Sequence, residues 1–226
     1  MVRRLSLLVL LAAAGALAIV APAGARKPPK RCHPRSSQVV ARHGGAFIYL
    51  RNTGPDDGEY GPPRALFGCR AANRAPHRLV SFSDGDSPTF APLGPSGAKA
   101  RFNGRYVAFS LSYFDIVCSK YQQDNCAASI TASFDLTNGR RVATARDPAP
   151  GTTSANQGYR AADLALTTAG SFAWIPAGTG SQPLLGVDRS GQRALDPGPV
   201  DQGSLTASGT TVSWTSARQP RSASLR

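Results

Sequence analysis

The sequence predicts an all-β protein built from about four antiparallel repeat units in a propeller-like arrangement. Three observations point there. First, 23 glycines and 18 prolines are spread along the chain rather than clustered, and they interrupt any helix of ordinary length. Second, with no helical run, the apolar residues must be buried on strands, and several short segments do alternate apolar and polar. Third, a glycine turn leading into an alternating run with an aromatic end occurs four times. The copies are Gly45-Ala46-Phe47-Ile48-Tyr49, Asn103-Gly104-Arg105-Tyr106-Val107-Ala108-Phe109, Gly170-Ser171-Phe172-Ala173-Trp174 and Gly209-Thr210-Thr211-Val212-Ser213-Trp214.

Each element of the unit has its own local reason. Strands precede the turns: Asp163 to Thr167 alternates with Leu164 and Leu166 on one face, and Ser204-Leu205-Thr206-Ala207 takes the same place before the last copy. Strands also follow them. Ile130 to Leu136 alternates and then turns at Thr137-Asn138-Gly139-Arg140 toward Val142. Leu184 to Val187 turns at Asp188-Arg189-Ser190-Gly191 toward Leu195. Asn-Gly and Ser-Gly supply the positive φ that tight hairpins need. Ser222-Ala223-Ser224-Leu225 is a candidate closing strand. Phe109, Trp174 and Trp214 hold one position of the repeat, which predicts core packing between units over a sugar-stacking platform. The copies are unevenly spaced because loops intervene at Asn52–Arg64, Ser83–Ser96 and Asp147–Gly158. Units of some forty residues that cover one another's faces indicate a solenoid or propeller, with a β-sandwich as the competing architecture.

Asn103 to Phe109 joined to Phe134-Asp135-Leu136-Thr137-Asn138-Gly139-Arg140 resembles a blade of the TolB-type and WD-repeat β-propellers, and Asp188-Arg189-Ser190-Gly191 after Trp174 repeats that arrangement. The chain has neither a Ser-Pro-Asp-Gly turn nor a Trp-Asp dipeptide. The resemblance implies a rigid scaffold whose loops bind something. A closed ring would require the N-terminal strand near Val39-Val40 to pair with the C-terminal unit.

Residues 1–25 read as a signal peptide. Arg3-Arg4 opens it, Leu5 to Val20 forms the apolar stretch, and Pro22-Ala23-Gly24-Ala25 supplies small residues for cleavage after Ala25. The apolar stretch falls short of the ~20 residues a membrane-spanning helix needs, so the processed chain is not expected to span a membrane. The expected location is the cell envelope, periplasmic or extracellular. Residues 26–38 form a basic, Pro- and Arg-rich extended segment, and residues 39–226 the repeat domain. In an oxidising compartment Cys32, Cys69, Cys118 and Cys126 read as a disulfide framework. Of the three connectivities, Cys118–Cys126 with Cys32–Cys69 is favoured, because the first pair closes a short polar loop. No two-residue Cys spacing supports zinc.

The formal charge is +13, and Arg26, Lys27, Lys30, Arg31, Arg35 and Arg42 all precede the first acid, Asp56. A solvated tail explains this stretch, and attraction to an anionic lipid or wall polymer is the sharper reading. Nucleic acid is not expected, since no aromatics interleave with the basic residues for base stacking.

A complete catalytic set is not legible. Arg42-His43-Gly44 after an apolar run resembles the opening motif of histidine phosphatases, but that chemistry needs a second His or acid, and His77 is the only downstream histidine. Gly85-Asp86-Ser87 resembles the nucleophile segment of trypsin-like proteases, yet Pro88 replaces a needed glycine and no triad assembles around it. Asp56-Asp57-Gly58-Glu59 and Asp84-Gly85-Asp86 could offer oxygens to calcium, though Asp and Gly are also ordinary turn residues; no other cofactor is expected. The expectation is a non-enzymatic binding or scaffold protein of the envelope, with an unidentified protein or polymer as partner. An envelope hydrolase acting on sugar or phosphate esters and a lineage-specific structural protein are the alternatives.

Overall fold

The computed structural model describes residues 32, 34–56, 58, 61–72, 75–83, 85–114, 127–146, 160–178 and 181–226. The expected signal segment, the Cys118–Cys126 pair and the Asp147–Gly158 loop lie outside the described residues, as do His33, Asp57, Glu59 and Asp84.

Four antiparallel sheets follow one another along the chain, with no helix among the described residues. The first is a meander of β1 (Gln38–His43), β2 (Ala46–Asn52), β3 (Arg64–Arg70) and β4 (His77–Phe82). In the second, β5 (Thr89–Phe90) and β6 (Arg101–Asn103) share one edge of β7 (Tyr106–Phe114), and β8 (Ala127–Asp135) and β9 (Arg141–Thr144) continue from the other. The third runs β10 (Ala161–Leu166), β11 (Phe172–Pro176), β12 (Leu184–Asp188) and β13 (Gly191–Asp196). The fourth has β14 (Thr206–Ser208), β15 (Thr211–Ser216) and β16 (Gln219–Ser224). The four copies of the glycine motif sit between β1 and β2, between β6 and β7, between β10 and β11 and between β14 and β15. In three of them a left-handed glycine opens a two-residue hairpin: Gly44 at φ 55°, Gly104 at 58° and Gly209 at 58°. The first copy therefore turns on Gly44, one residue before the glycine that the sequence pattern singled out.

Period-two alternation decides how the sheets stack. Val107, Phe109 and Leu111 of β7, with Phe134 of β8, pack on Ile48, Leu50 and Leu66 of the first sheet. Tyr106 and Ala108 face the other way, onto Leu164, Leu166, Phe172 and Trp174 of the third. Ala173 and Ile175 alternate with Phe172 and Trp174, so they meet Val212 and Trp214 of the fourth sheet. Each repeat aromatic thus points at the preceding sheet, and Phe109, Trp174 and Trp214 are all buried. Burying one such ring system removes some 150–250 Å² from water, roughly 4–6 kcal/mol at 25 cal/mol per Å². A two-sheet sandwich is excluded, because the second and third sheets are covered on both faces.

The first strands converge, which gives the stack its propeller-like character. Asp163 in β10 accepts from the Arg101 guanidinium of β6 at 3.2 Å and from the Gly203 N–H just before β14 at 3.2 Å. Among the described residues, ring closure through the N-terminal strand does not occur. Val39 pairs with Tyr49 inside the first sheet, because the Gly44-Gly45 hairpin returns β1 onto its immediate neighbour at far lower loop-closure cost than the opposite end of the chain. The fourth sheet is left with three strands. Among the described residues, no apolar cluster joins it back to the first sheet.

The Cys32–Cys69 disulfide is present, with a Cα–Cα distance of 5.8 Å. Its position explains its use. Tyr49, five residues after Gly44 as Phe109 is after Gly104, has no preceding sheet to pack on. It is buried instead against Cys32, Cys69 and Phe67, its ring stacked on Phe67 at 5.6 Å.

Candidate functional site

β8 of the second sheet and β12 of the third end in the same device. Asp135 closes β8 and its Oδ1 accepts from the Thr137 N–H at 2.8 Å and hydroxyl at 2.6 Å. Asp188 closes β12 and accepts from the Ser190 N–H at 2.9 Å. Each carboxylate also takes an arginine: Arg105 on Asp135 at 3.1 Å and Arg193 on Asp188 at 2.6 Å. Burial pushes the Asp188 pKa upward, but Arg193 and the N–H groups of Ser190 and Arg226 outweigh it and hold the group below the ordinary carboxylate value. These acids are structural, and their charge is spent within the turns.

That leaves a basic groove between the outer strand of the second sheet and the β12–β13 hairpin. It has a volume of about 520 Å³ and is lined by β9 on one side and by Val187 to Gln192 on the other. Arg141, Arg146 and Arg189 line it; all three are exposed, and none pairs with a carboxylate among the described residues. Arg141 lies over the Phe134 ring at 5.7 Å, which limits how far its guanidinium wanders. Gln192 clasps one end: its Oε1 accepts from the Arg146 N–H at 2.8 Å and its Nε2 donates to the Arg146 carbonyl at 2.9 Å. Three unpaired guanidiniums in one concavity can bind carboxylate, sulfate or phosphate groups through paired N–H donors. Among the described residues the lining carries no histidine, and its one acid, Asp188, is engaged by Arg193.

The residues singled out by sequence are not brought together. His43 ends β1 and its ring lies along Phe102 of β6 at 6.2 Å. His77 opens β4 and abuts Gly139 in the β8–β9 turn. Asp86 is buried and its Oδ2 accepts from the Ser83 N–H at 3.0 Å, while Asp56 accepts from the Gly58 N–H at 3.0 Å. Both are turn-forming aspartates. Among the described residues, no group of three His, Cys, Asp or Glu is arranged to hold a metal. The groove arginines were missed by sequence reasoning. The available signal was the pair of related turns, Asn138-Gly139-Arg140-Arg141 and Ser190-Gly191-Gln192-Arg193, which place arginines beside strand ends in adjacent repeats.

No family model matches the chain, and no curated protein sequence is significantly similar to it. Among solved structures, a prolyl endopeptidase overlaps 82% of this chain and 27% of its own length, at 14% identity and a TM-score of 0.38. A puromycin-hydrolysing peptidase of Mycobacterium tuberculosis overlaps 88% and 31%, at 14% identity and a TM-score of 0.38. TolB of Acinetobacter baumannii overlaps 77% and 39%, at 15% identity and a TM-score of 0.29. The chain thus spans less than a third of each of the two peptidases. At such scores none of these likenesses bears on its activity.

Proposed function

We propose that this chain is an exported, non-catalytic binding scaffold of the cell envelope, and that the groove between β9 and the β12–β13 hairpin takes an anionic ligand. The observation that carries this reading is the set of three exposed arginines, Arg141, Arg146 and Arg189, in one concavity with no carboxylate partner among the described residues. The rigid stack supports it by fixing both walls of the groove. Export is supported by the N-terminal pattern of residues 1–25 and by the Cys32–Cys69 bridge, a bond that persists in oxidising compartments.

The test is sedimentation of residues 26–226 with isolated envelope fractions in low and high salt. A chain carrying Arg141→Ala, Arg146→Ala and Arg189→Ala and a chain lacking residues 26–30 run beside it. The triple variant is expected to lose most of the binding and the truncated chain to keep it. Equal binding by the triple variant would overturn the groove as the site. Loss confined to the truncation would reduce the interaction to screening-sensitive attraction by the basic tail.

A further inference from the structure

The wall of the groove is a sheet edge, and its backbone is partly used already. The Ala145 N–H donates to the Thr131 carbonyl at 2.9 Å, so residues 143 and 145 direct their main-chain groups toward β8. In an antiparallel ladder the alternate residues direct theirs away. Arg146 shows this directly, since its outward N–H and C=O are both taken by the Gln192 side-chain amide. The two bonds have the pattern a residue of a neighbouring strand would make. Thr144, the next outward residue along the edge, lines the groove, and no hydrogen bond among the described residues uses its N–H or C=O. Val142, in the bulge opposite Ser133 and Phe134, follows it. Gln192 therefore starts a ladder that stops where the open groove begins. Arg141 and Arg146 flank that stretch, roughly 15–17 Å apart at ~3.3 Å per residue, and Arg189 stands on the opposite wall.

We infer that the groove receives an extended acidic peptide segment of a partner protein, which adds as a strand to the free edge of β9 beside Gln192. The occupant follows from two features together. The Thr144 N–H and C=O, unused among the described residues and next in line after the Gln192-bonded Arg146, suit a peptide backbone. Three arginines, with Asp188 already neutralised by Arg193 at 2.6 Å, suit glutamate or aspartate side chains. A polyanion without amides would satisfy the charges and leave the ladder empty. The inference rests on the proposed function, because it names the ligand class of the same groove.

The experiment measures binding to the full mature chain by fluorescence anisotropy with three labelled probes. These are acetyl-Glu-Val-Glu-Val-Glu-Val-amide, the same peptide N-methylated at every residue, and inorganic polyphosphate. The unmodified peptide is expected to bind at least tenfold tighter than the methylated one, which keeps the charge and loses the hydrogen-bonding edge. Arg146→Ala with Arg189→Ala should weaken the peptide about tenfold and flatten its salt dependence. Thr144→Pro, which removes an outward N–H and no main-chain donor directed at β8, should weaken it with far less effect on polyphosphate. Amide exchange at Thr144 should slow when the peptide is bound, a readout that needs no variant. Equal binding of the two peptides overturns the strand addition. Polyphosphate binding that the arginine variants abolish, with no peptide binding, overturns it too and leaves the anionic groove standing. Binding of no probe overturns both.

Discussion

At one end of the stack, the free face of the first sheet carries Phe47, Tyr49 and Phe67. At the other, the free face of the fourth sheet carries Thr206, Ser213 and Ser222 in one cross-strand row and Ser208, Thr211 and Ser224 in the next, all exposed. Among the described residues both faces lack a neighbouring sheet, and they deal with it differently. The repeat places an aromatic on the side that meets the preceding sheet, so the first unit inherits Tyr49 with nothing in front of it. Cys32, anchored to Cys69, covers that ring. The fourth unit keeps its aromatic, Trp214, on the third sheet and presents mainly Ser and Thr hydroxyls outward, with Pro220 at the end of the face. End units of a repeat stack need a covered or polar outer face to stay soluble, and this chain uses one solution at each end.

The comparison breaks most visibly at the first sheet. Tyr49→Ala should cost about 3–5 kcal/mol, as other buried aromatic truncations do, read as a shift in the urea midpoint. Cys32→Ser with Cys69→Ser should cost about 2–4 kcal/mol by freeing the unfolded chain across this 37-residue separation. It should also increase dye binding to the newly uncovered Phe47 and Phe67.

A middle-sized effect belongs to the seam between the third and fourth sheets. Asp196 is buried at the end of β13 and accepts from the Trp214 indole at 2.8 Å, the Gly198 N–H at 2.9 Å, Ser216 at 3.3 Å and Arg221 at 3.0 Å. Burial alone would raise its pKa, yet these donors hold it below the ordinary carboxylate value. A depressed folded-state pKa stabilises the fold above the unfolded pKa of ~4. That contribution drains away as pH falls through the folded value. Asp196→Asn should therefore cost about 1–3 kcal/mol at neutral pH, and its gap from the wild type should close in acid unfolding. A gap that stays constant down to pH 2 would show the charge to be irrelevant.

The smallest effect is expected on the hydroxyl face. Thr211→Val with Ser213→Val should change stability by no more than ~0.5 kcal/mol, because β propensity is kept and nothing packs there. Gel filtration should show whether the added apolar patch makes the chain self-associate, which the wild-type face is built to avoid.

Much of the fold was legible in residues. Glycine turns at Gly104, Gly170 and Gly209, the alternation of Leu164 with Leu166, and the Asp-led turns after β8 and β12 are local signals, and each was realised where the pattern put it. The groove was not legible. Arg141 and Arg146 belong to the outer edge of the second sheet and Gln192 to the third, and their meeting depends on how those two sheets pack. Arg140 and Arg141 are adjacent in sequence, yet only Arg141 lines the groove, a difference set by strand direction and a bulge. Nor does the sequence distinguish an aspartate that closes a turn from one that could hold a metal; Asp56 and Asp86 required their partners, the Gly58 and Ser83 N–H groups, to be seen.

By itself the sequence determined the all-β class, the repeat and the sites of its hairpins, because backbone freedom at glycine and period-two burial act over a few residues. Only the tertiary structure decided which face of each sheet met which neighbour, and that β1 returned to its own sheet instead of completing the last. It also decided which arginines were left without a carboxylate. Those outcomes depend on competition between contacts distant in the chain, where burial, loop closure and charge pairing are settled together.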